Sequence, residues 1–497
     1  MGPDIVIKKK NHAFLEIKTE KSIMYEIKEH FTFQVPNYQF MSSYVNGRWD
    51  GKIRLYKFSK SLLPIGLLLK LLKFCKHHDY KVKIETDPVY GNLIEDSFYD
   101  ESFLKSLDLN GLTPYDYQER TVELALKKRN LLILSPTSSG KSLMIYMMVR
   151  HFLEHSNSRA LLVVPSIQLV HQMKKDMDEY SQNEGGFSEK IHLIYQGQDK
   201  NPPENSRLVI STWQSIYKEK DFYFRQFEMV LIDEVHHVNY KAKSLTTVIE
   251  NCTEAKYRIG LTGSLDGTNF SEIQLNGFFG PTYKSTTVKD MVKNKQVANF
   301  KIETILLKYP ENERRVVSKM NYQKEVDYLI NHEKRSKFIR NISMSLQGNT
   351  LVLFKFVDKH GKKMYKDFLN NNNDEDRKIF YVSGETEVSD REDIRRIVEM
   401  ESNAIIVASL GTFSTGINIK NLNNIVFATP TKSRIKVLQS IGRGLRLANN
   451  KLDTKIYDIV DDLTFKNRQN YSFKHGAERL KIYGDESYPY RVYNVPI

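Results

Sequence analysis

The chain has 497 residues, 40% of them hydrophobic and 27% charged, so packed cores are expected and wholesale disorder is excluded. Lys and Arg outnumber Asp and Glu by 74 to 60, and the net charge of +14 favours a polyanionic partner. The two cysteines exclude a disulfide framework and a four-thiolate metal site.

Residues 1–95 hold 16 Lys/Arg against 10 Asp/Glu, an excess of 6 in under a fifth of the chain, and read as a basic α/β DNA-binding domain. Ile5-Val6-Ile7 and Phe14 to Ile17 are strand runs around a turn at Lys8 to His12, and Ile23, Met24, Ile27 and Phe31 have helical spacing. Asn46-Gly47 signals a hairpin turn before the alternating strand Lys52 to Tyr56. Arg48, Lys52, Arg54, Lys57 and Lys60 face only Asp50 there, with Trp49 and Tyr56 among them. Cations beside an aromatic can track phosphates and stack on a base, so Arg48, Trp49, Lys52 and Arg54 are candidate nucleic-acid contacts. The competing reading makes Trp49 a core residue and the cations a solvated face. Leu67 to Cys75 is an apolar helix; Leu62 to Leu72, broken by Lys70, is too short to span a bilayer. Cys75 beside His77 and His78 reads as a core thiol with exposed histidines rather than a zinc site. Tyr80 to Glu85 alternates as a strand. Pro3-Asp4 with Glu16-Ile17-Lys18 matches a short nuclease pattern, but ordinary strand alternation explains it better. The charged start lacks a signal-peptide core, so a cytoplasmic protein without a membrane partner is expected, with a monomer as the default.

Asp87 to Asp108 reads as a polar linker, and residues 96–297 as a first nucleotide-binding α/β domain. Its expected strands are Leu131–Leu134, Ala160–Val164, His192–Tyr195, Leu208–Ile210, Met229–Ile232 and Tyr257–Leu261. Tyr115, Tyr117 and Gln118 lie upstream; either tyrosine could stack on the base, and the amide suits an adenine edge. Thr137, Ser138, Ser139, Gly140, Lys141 and Ser142 stand between strand and helix, where backbone N–H groups cradle phosphates. Lys141 would reach the β- and γ-phosphates of ATP, and Ser142 would ligate Mg²⁺. Ser135 departs from the pattern by replacing its first glycine. Pro165 and Ser166, then Thr212 and Gln214, follow strands and suit phosphate–sugar contact. Asp233-Glu234-Val235-His236 ends another strand; Asp233 would hold Mg²⁺ and Glu234 would deprotonate the attacking water. Thr262-Gly263-Ser264 follows the next.

Residues 298–497 repeat the rhythm, with strands from Ile302, Thr350–Phe354, Ile379–Val382, Ala404–Ala408, Asn424–Ala428 and Lys455–Asp458. Two such domains suggest a duplicated fold with a cleft between. Ser383 and Thr415 join the nucleic-acid candidates, and Gly416 and Asn418 suit backbone and ribose contact. Gln439, Arg443 and Arg446 close the domain as catalytic candidates, the arginines three apart on a helix face and able to reach a γ-phosphate.

The ordered set Gln118, Gly140-Lys141-Ser142, Asp233-Glu234-Val235-His236, Thr262-Gly263-Ser264, Gly416 and Gln439 to Arg446 resembles a superfamily 2 helicase. Asn46 to Leu55, Leu63 to Leu67, Ala408 to Ile417, Tyr457 to Asp462 and Lys474 to Arg479 are similar to the UvsW helicases of T-even-like phages, so the resemblance covers nearly the whole chain. It implies two RecA-like parallel-sheet motor domains behind a small N-terminal α/β domain, and a C-terminal extension. It implies an ATP- and Mg²⁺-dependent 3′-to-5′ motor on branched or double-stranded DNA, acting in phage recombination, replication and repair. Fork regression, Holliday junction migration and R-loop and D-loop unwinding would be its reactions. RNA–DNA hybrids would be further substrates, and single-stranded-DNA-binding or recombination proteins its partners in the host cytoplasm. Two alternatives stay open: a double-stranded translocase that never separates strands, and a motor carrying an N-terminal nuclease.

Overall fold

The computed structural model describes residues 2–36, 38–93, 97–238, 243–265, 269–416, 419, 421–429, 433–445 and 453–497, except the side chains of 269–270, 388, 414–416, 434–435 and 443–444. The chain forms two units, residues 1–135 with 140–285, and residues 286–497 to which 136–139 are grouped.

The first unit begins with strands β1 (Ile5–Lys9), β2 (Phe14–Thr19), β3 (Thr32–Gln34), β4 (Lys52–Arg54), β5 (Leu62–Pro64) and β6 (Val82–Glu85). β1 and β2 form an antiparallel hairpin, β5 adds to β2 and β6 runs parallel to β1, giving the order β5-β2-β1-β6. Ile5 and Ile7 alternate inward with Leu15 and Ile17, and the helices Lys21–His30 and Leu68–His77 cover them with Ile23, Ile27, Leu71 and Phe74. Cys75 is part of this core; burial raises its thiol to about 11.

Two expectations fail here. Asn46-Gly47 is not a hairpin turn: it closes the short helix Ser42–Val45, with Gly47 at φ +65°. Gly47 N–H donates to Tyr44 O and Arg48 N–H to Ser43 O, both at 2.9 Å, the bonding of a left-handed helix cap. Asp87 to Asp108 is not a free linker either. The helix Glu101–Ser106 starts on an Asp100 cap, and Leu104 and Leu109 enter the core of the following sheet. Their apolar spacing outweighed the polar composition of the segment.

The sheet of the first unit comprises β7 (Asn130–Leu134), β8 (Arg159–Val164), β9 (Ile191–Ile194), β10 (Leu208–Thr212), β11 (Phe227–Ile232), β12 (Tyr257–Thr262) and β13 (Thr282–Lys284). All pairings are parallel, in the order β13-β7-β12-β11-β8-β10-β9. Its strands are continuous apolar runs because helices cover both faces.

The second unit repeats this with β14 (Asn299–Lys308), β15 (Thr350–Phe354), β16 (Ile379–Val382), β17 (Ile405–Ser409), β18 (Asn424–Phe427), β19 (Asp453–Asp462) and β20 (Tyr490–Pro496). The order is β16-β17-β15-β18-β19-β14-β20, again all parallel. Two buried ion clusters fix the helix Tyr471–Asp485 and its neighbours to this sheet. Asp458 accepts from Arg479 Nη2 at 2.6 Å and from Tyr483 OH at 2.9 Å. Asp461 accepts from Arg335 Nε and Tyr309 OH, each at 2.7 Å. The segments Tyr457 to Asp462 and Lys474 to Arg479 therefore serve packing: removing one partner would strand a buried charge.

Candidate nucleotide and nucleic-acid site

Every candidate of the first unit outside its N-terminal domain, apart from Tyr117 and Gln118 on the preceding helix, follows the C-terminal end of a parallel strand. The phosphate loop follows β7, Thr262-Gly263-Ser264 ends and follows β12, Asp233 follows β11, Pro165-Ser166 follow β8 and Thr212 ends β10. In the sheet these strands are adjacent, β7-β12-β11-β8-β10. The nucleotide candidates thus occupy one stretch of the edge and the nucleic-acid candidates the next, the edge at which parallel α/β sheets bind ligands.

The loop is shaped by backbone. Gly140 has φ +74° and Ser138 φ +68°, and the helix Lys141–His155 starts directly after. N–H groups at such a bend and helix start form an anion-binding concavity. Ser139 Oγ donates to Pro136 O at 2.7 Å. Lys141 Nζ donates to Ser135 O at 3.3 Å, holding the ammonium over the loop. Ser135 is fully buried; its hydroxyl accepts from Ser285 at 2.7 Å, which accounts for a hydroxyl residue in place of glycine. A Cβ on Gly140 would lie 2.3 Å from Gln118 Nε2, so the Gln118 amide braces the loop glycine. Its Oε1 accepts from Tyr115 N at 2.8 Å. Tyr117 is 6% exposed and Tyr115 43%, so of the two tyrosines that are candidates for stacking on a base, Tyr115 has the accessible ring.

Ser142 Oγ lies 2.8 Å from Tyr180 OH. Tyr180 is a neighbour that sequence reasoning missed, because nothing marks one tyrosine at the end of a helix 38 residues away.

Asp233 is buried at the end of β11, where its N–H donates to Val163 O at 3.0 Å and its Oδ1 accepts from Glu234 N at 2.9 Å. Burial first, then the charge of Glu234, push its carboxyl up to about 7, against the opposing pull of Lys141. Glu234 takes φ +53°, turning its side chain toward His236 Nδ1, 3.2 Å from Oε2. His236 Nδ1 is also 2.9 Å from Thr262 Oγ1, which donates onward to Ser264 O at 3.0 Å. His236 therefore lies against the Glu234 carboxylate and is hydrogen-bonded to the Thr-Gly-Ser turn. Two crowded carboxylates beside the half-buried Lys141 fit a divalent cation, whose charge would restore Asp233 to its ionised form.

The nucleic-acid candidates divide. Ser166 Oγ caps the helix Ile167–Tyr180 by accepting from Leu169 N at 3.3 Å, next to Pro165. Thr212 is buried with its hydroxyl 2.9 Å from Ser215 Oγ, so it shapes the turn and does not open to a strand; Gln214 is exposed. In the N-terminal domain Arg48 and Lys52 are exposed and make no ion pair with a described residue. Arg54 pairs with Asp50, and the half-buried Trp49 donates its indole N–H to Lys52 O at 2.8 Å. Tyr56 is a core residue, against the expectation of an aromatic on a DNA face. The nuclease pattern does not converge. Lys8, not Asp4, lies opposite Glu16, and four residues along a strand set the two acids about 13 Å apart.

In the second unit Ser383 is fully buried, accepting from Glu385 N at 3.2 Å; it is a turn residue, not an open contact. Thr415 and Gly416 lie on the helix Leu410–Gly416, the side chain of Thr415 outside the described residues, as is Asn418. Gln439 is buried on the helix Arg434–Gly444. Arg443 lies on that helix, but its side chain, like Arg446, is outside the described residues.

Residues 4–85 match the sequence profile described as DNA helicase UvsW, N-terminal; 111–266 match Type III restriction enzyme, res subunit; and 333–448 match Helicase conserved C-terminal domain. The chain is 33% identical over 505 aligned residues to the ATP-dependent DNA helicase uvsW of Enterobacteria phage T4, covering 98% of each chain. The crystal structure of T4 UvsW aligns with a TM-score of 0.51 at 31% identity, covering 99% of each chain. The DNA 3′-5′ translocase XPB2 of Sulfurisphaera tokodaii is 21% identical over 370 residues, 67% of this chain and 78% of that protein.

Proposed function

Because the chain belongs to the UvsW helicase family and is thereby an ATP-dependent DNA helicase, we propose that it is a 3′-to-5′ motor on branched DNA. Its substrates are stalled forks, Holliday junctions, D-loops and R-loops, the last bringing RNA–DNA hybrids within its range, in phage recombination, replication and repair in the host cytoplasm. Residues 1–95 bind the branch, and residues 96–297 and 298–497 are the two motor domains. The observation that carries this reading is the adjacency of β11, which ends at Asp233-Glu234, to β8, which leads to Pro165 and Ser166. The state of the nucleotide is felt one strand away from the DNA. The similarity to the DNA 3′-5′ translocase XPB2 of Sulfurisphaera tokodaii supports the direction.

In the reaction, the Lys141 ammonium leaves the Ser135 carbonyl for the phosphates and offsets their charge, while loop N–H groups hold them in place. Asp233 and Ser142 would hold Mg²⁺, which when bound supplies charge neutralisation on the phosphate oxygens. Glu234 takes the proton of the attacking water, with His236 Nδ1 3.2 Å from its Oε2. His236, packed against Glu234 and hydrogen-bonded to Thr262, links the position of Glu234 to the turn after β12. Tyr115 stacks on the base while Gln118 braces Gly140. Gln439, Arg443 and Arg446 keep the catalytic role that the family resemblance implies.

Displacement from duplexes with a 3′ or a 5′ single-stranded tail tests the direction. ATP-dependent displacement from the 3′-tailed substrate is expected; equal or opposite preference overturns the polarity.

A further inference from the structure

We propose that Phe40 is the residue that parts the base pair at the branch point, stacking on an exposed base while the cations of its own loop hold the flanking phosphates. This rests on the reading of the chain as a motor on branched DNA. Phe40 sits in the long connection from β3 to β4, at the end of the single turn Tyr38–Phe40, and is 80% exposed. Val45, at the end of the next short helix, is also exposed. Tyr25, Leu69, Ile84 and Val89 are also exposed elsewhere in this domain, but Phe40 is the most exposed aromatic among its described residues.

The loop is braced from below. A Cβ on Gly51, at φ +76°, would lie 2.4 Å from the Tyr38 ring, so backbone lies flat against that ring and only glycine fits. Tyr38 packs edge-on to Tyr44 with centroids 4.6 Å apart. Gln34 Nε2 donates to Gly51 O at 2.9 Å, and Val35 N donates to the same carbonyl at 2.9 Å. The Gly47 cap and the Trp49 indole bond hold the far side. A prong mounted this firmly loses little conformational freedom when a base stacks on it.

Charge selects the occupant. Arg48 lies in the same connection and Lys52 at its end, both exposed and without an ion pair to a described residue, whereas Asp50 is engaged by Arg54. An exposed aromatic ring in a connection that also carries exposed cations complements a nucleobase between phosphates; a protein groove would ask for a wider apolar patch. The prong also travels with the first motor sheet. Lys57 pairs with Glu250 at 2.7 Å, His12 N donates to Thr253 O at 3.0 Å, and Gly66 lies against the backbone of Asn276 to Gly280. DNA drawn past that sheet is driven onto Phe40.

The test uses the full chain and a fork with 2-aminopurine at the branch-point base. The wild type is expected to raise the fluorescence of that base several-fold on binding without nucleotide, and to unwind the fork with ATP. Phe40→Ala is expected to lose the rise and unwind at least tenfold more slowly, while Phe40→Trp keeps the unwinding; an exposed side chain leaves folding intact in either variant. Wild-type fluorescence and unwinding in Phe40→Ala overturn this proposal alone. Failure of the wild type to unwind any fork overturns the function on which it rests.

Discussion

Replacing Gly66 by alanine should unseat the N-terminal domain without touching the nucleotide site. Gly66 lies in the turn Ile65–Leu67 that packs against the end of the helix Asn269–Phe279. An added Cβ would stand 1.9 Å from Asn276 O, 2.6 Å from Gly280 N and 2.9 Å from Gly277 O. All three are backbone atoms, so no rotamer change relieves the overlap. Restoring van der Waals separation needs a parting of about 1.5 Å. The seam bonds His12 N to Thr253 O and Tyr90 OH to Glu254, both 3.0 Å, would then be stretched out of range. Overpacking costs about 1–3 kcal/mol, and here it falls on one seam. For a domain of this size that is a loss of roughly 4–8 °C per kcal/mol in its melting transition. Differential scanning calorimetry should show the drop. Fork unwinding should fall at least tenfold, with ATP hydrolysis on single-stranded DNA within about twofold of wild type. A Gly66→Ala protein that melts and unwinds forks like wild type would refute the idea of a rigid, functionally required seat.

Four further outcomes follow from the same geometry. Glu234→Gln should bind ATP with near wild-type affinity and hydrolyse it at least about a hundredfold more slowly, the scale of lost general-base catalysis, in single-turnover assays; a collapse of affinity would assign Glu234 to binding instead. Arg48→Ala with Lys52→Ala should weaken fork binding and reduce the slope of log affinity against log salt by about two phosphate contacts, seen in anisotropy titrations. Asp458→Asn should destabilise the second unit by about 3–5 kcal/mol, because Arg479 is left buried without its counter-charge; a urea midpoint like that of wild type would contradict this. The raised Asp233 carboxyl makes the folded chain hold a proton that the unfolded chain releases above its ordinary range near 3.8, so stability without nucleotide or Mg²⁺ should fall as pH rises toward and through about 7. Asp233→Asn should remove that part of the slope, measured as urea midpoints at pH 5 and pH 8.

The strands were legible where apolar residues run without a break. Thr350–Phe354 and Ile379–Val382 lie at their expected limits, since a strand covered on both faces needs no alternation. The phosphate loop and the acidic pair were legible because strand, turn chemistry and helix agree at one place. Asn46-Gly47 misled because a left-handed glycine suits a helix cap as well as a hairpin. Tyr56 and Trp49 could not be ranked, since each is an aromatic in a basic stretch and only packing separates core from surface. Thr212 and Ser383 have the right side chains on the right sheet edge, yet their hydroxyls close local turns. Phe40 carried no signal at all: nothing in one phenylalanine announces that its loop will hold it in water.

The most direct measurement is strand displacement by the wild type on a fork, a Holliday junction, a D-loop, an R-loop and a linear duplex of one shared sequence, with and without ATP and Mg²⁺. ATP-dependent product from the branched substrates, formed at least tenfold faster than from the linear duplex, is the expected result. ATP hydrolysis that DNA stimulates but that yields no separated strand from any branched substrate would contradict it, and would make the chain a double-stranded translocase.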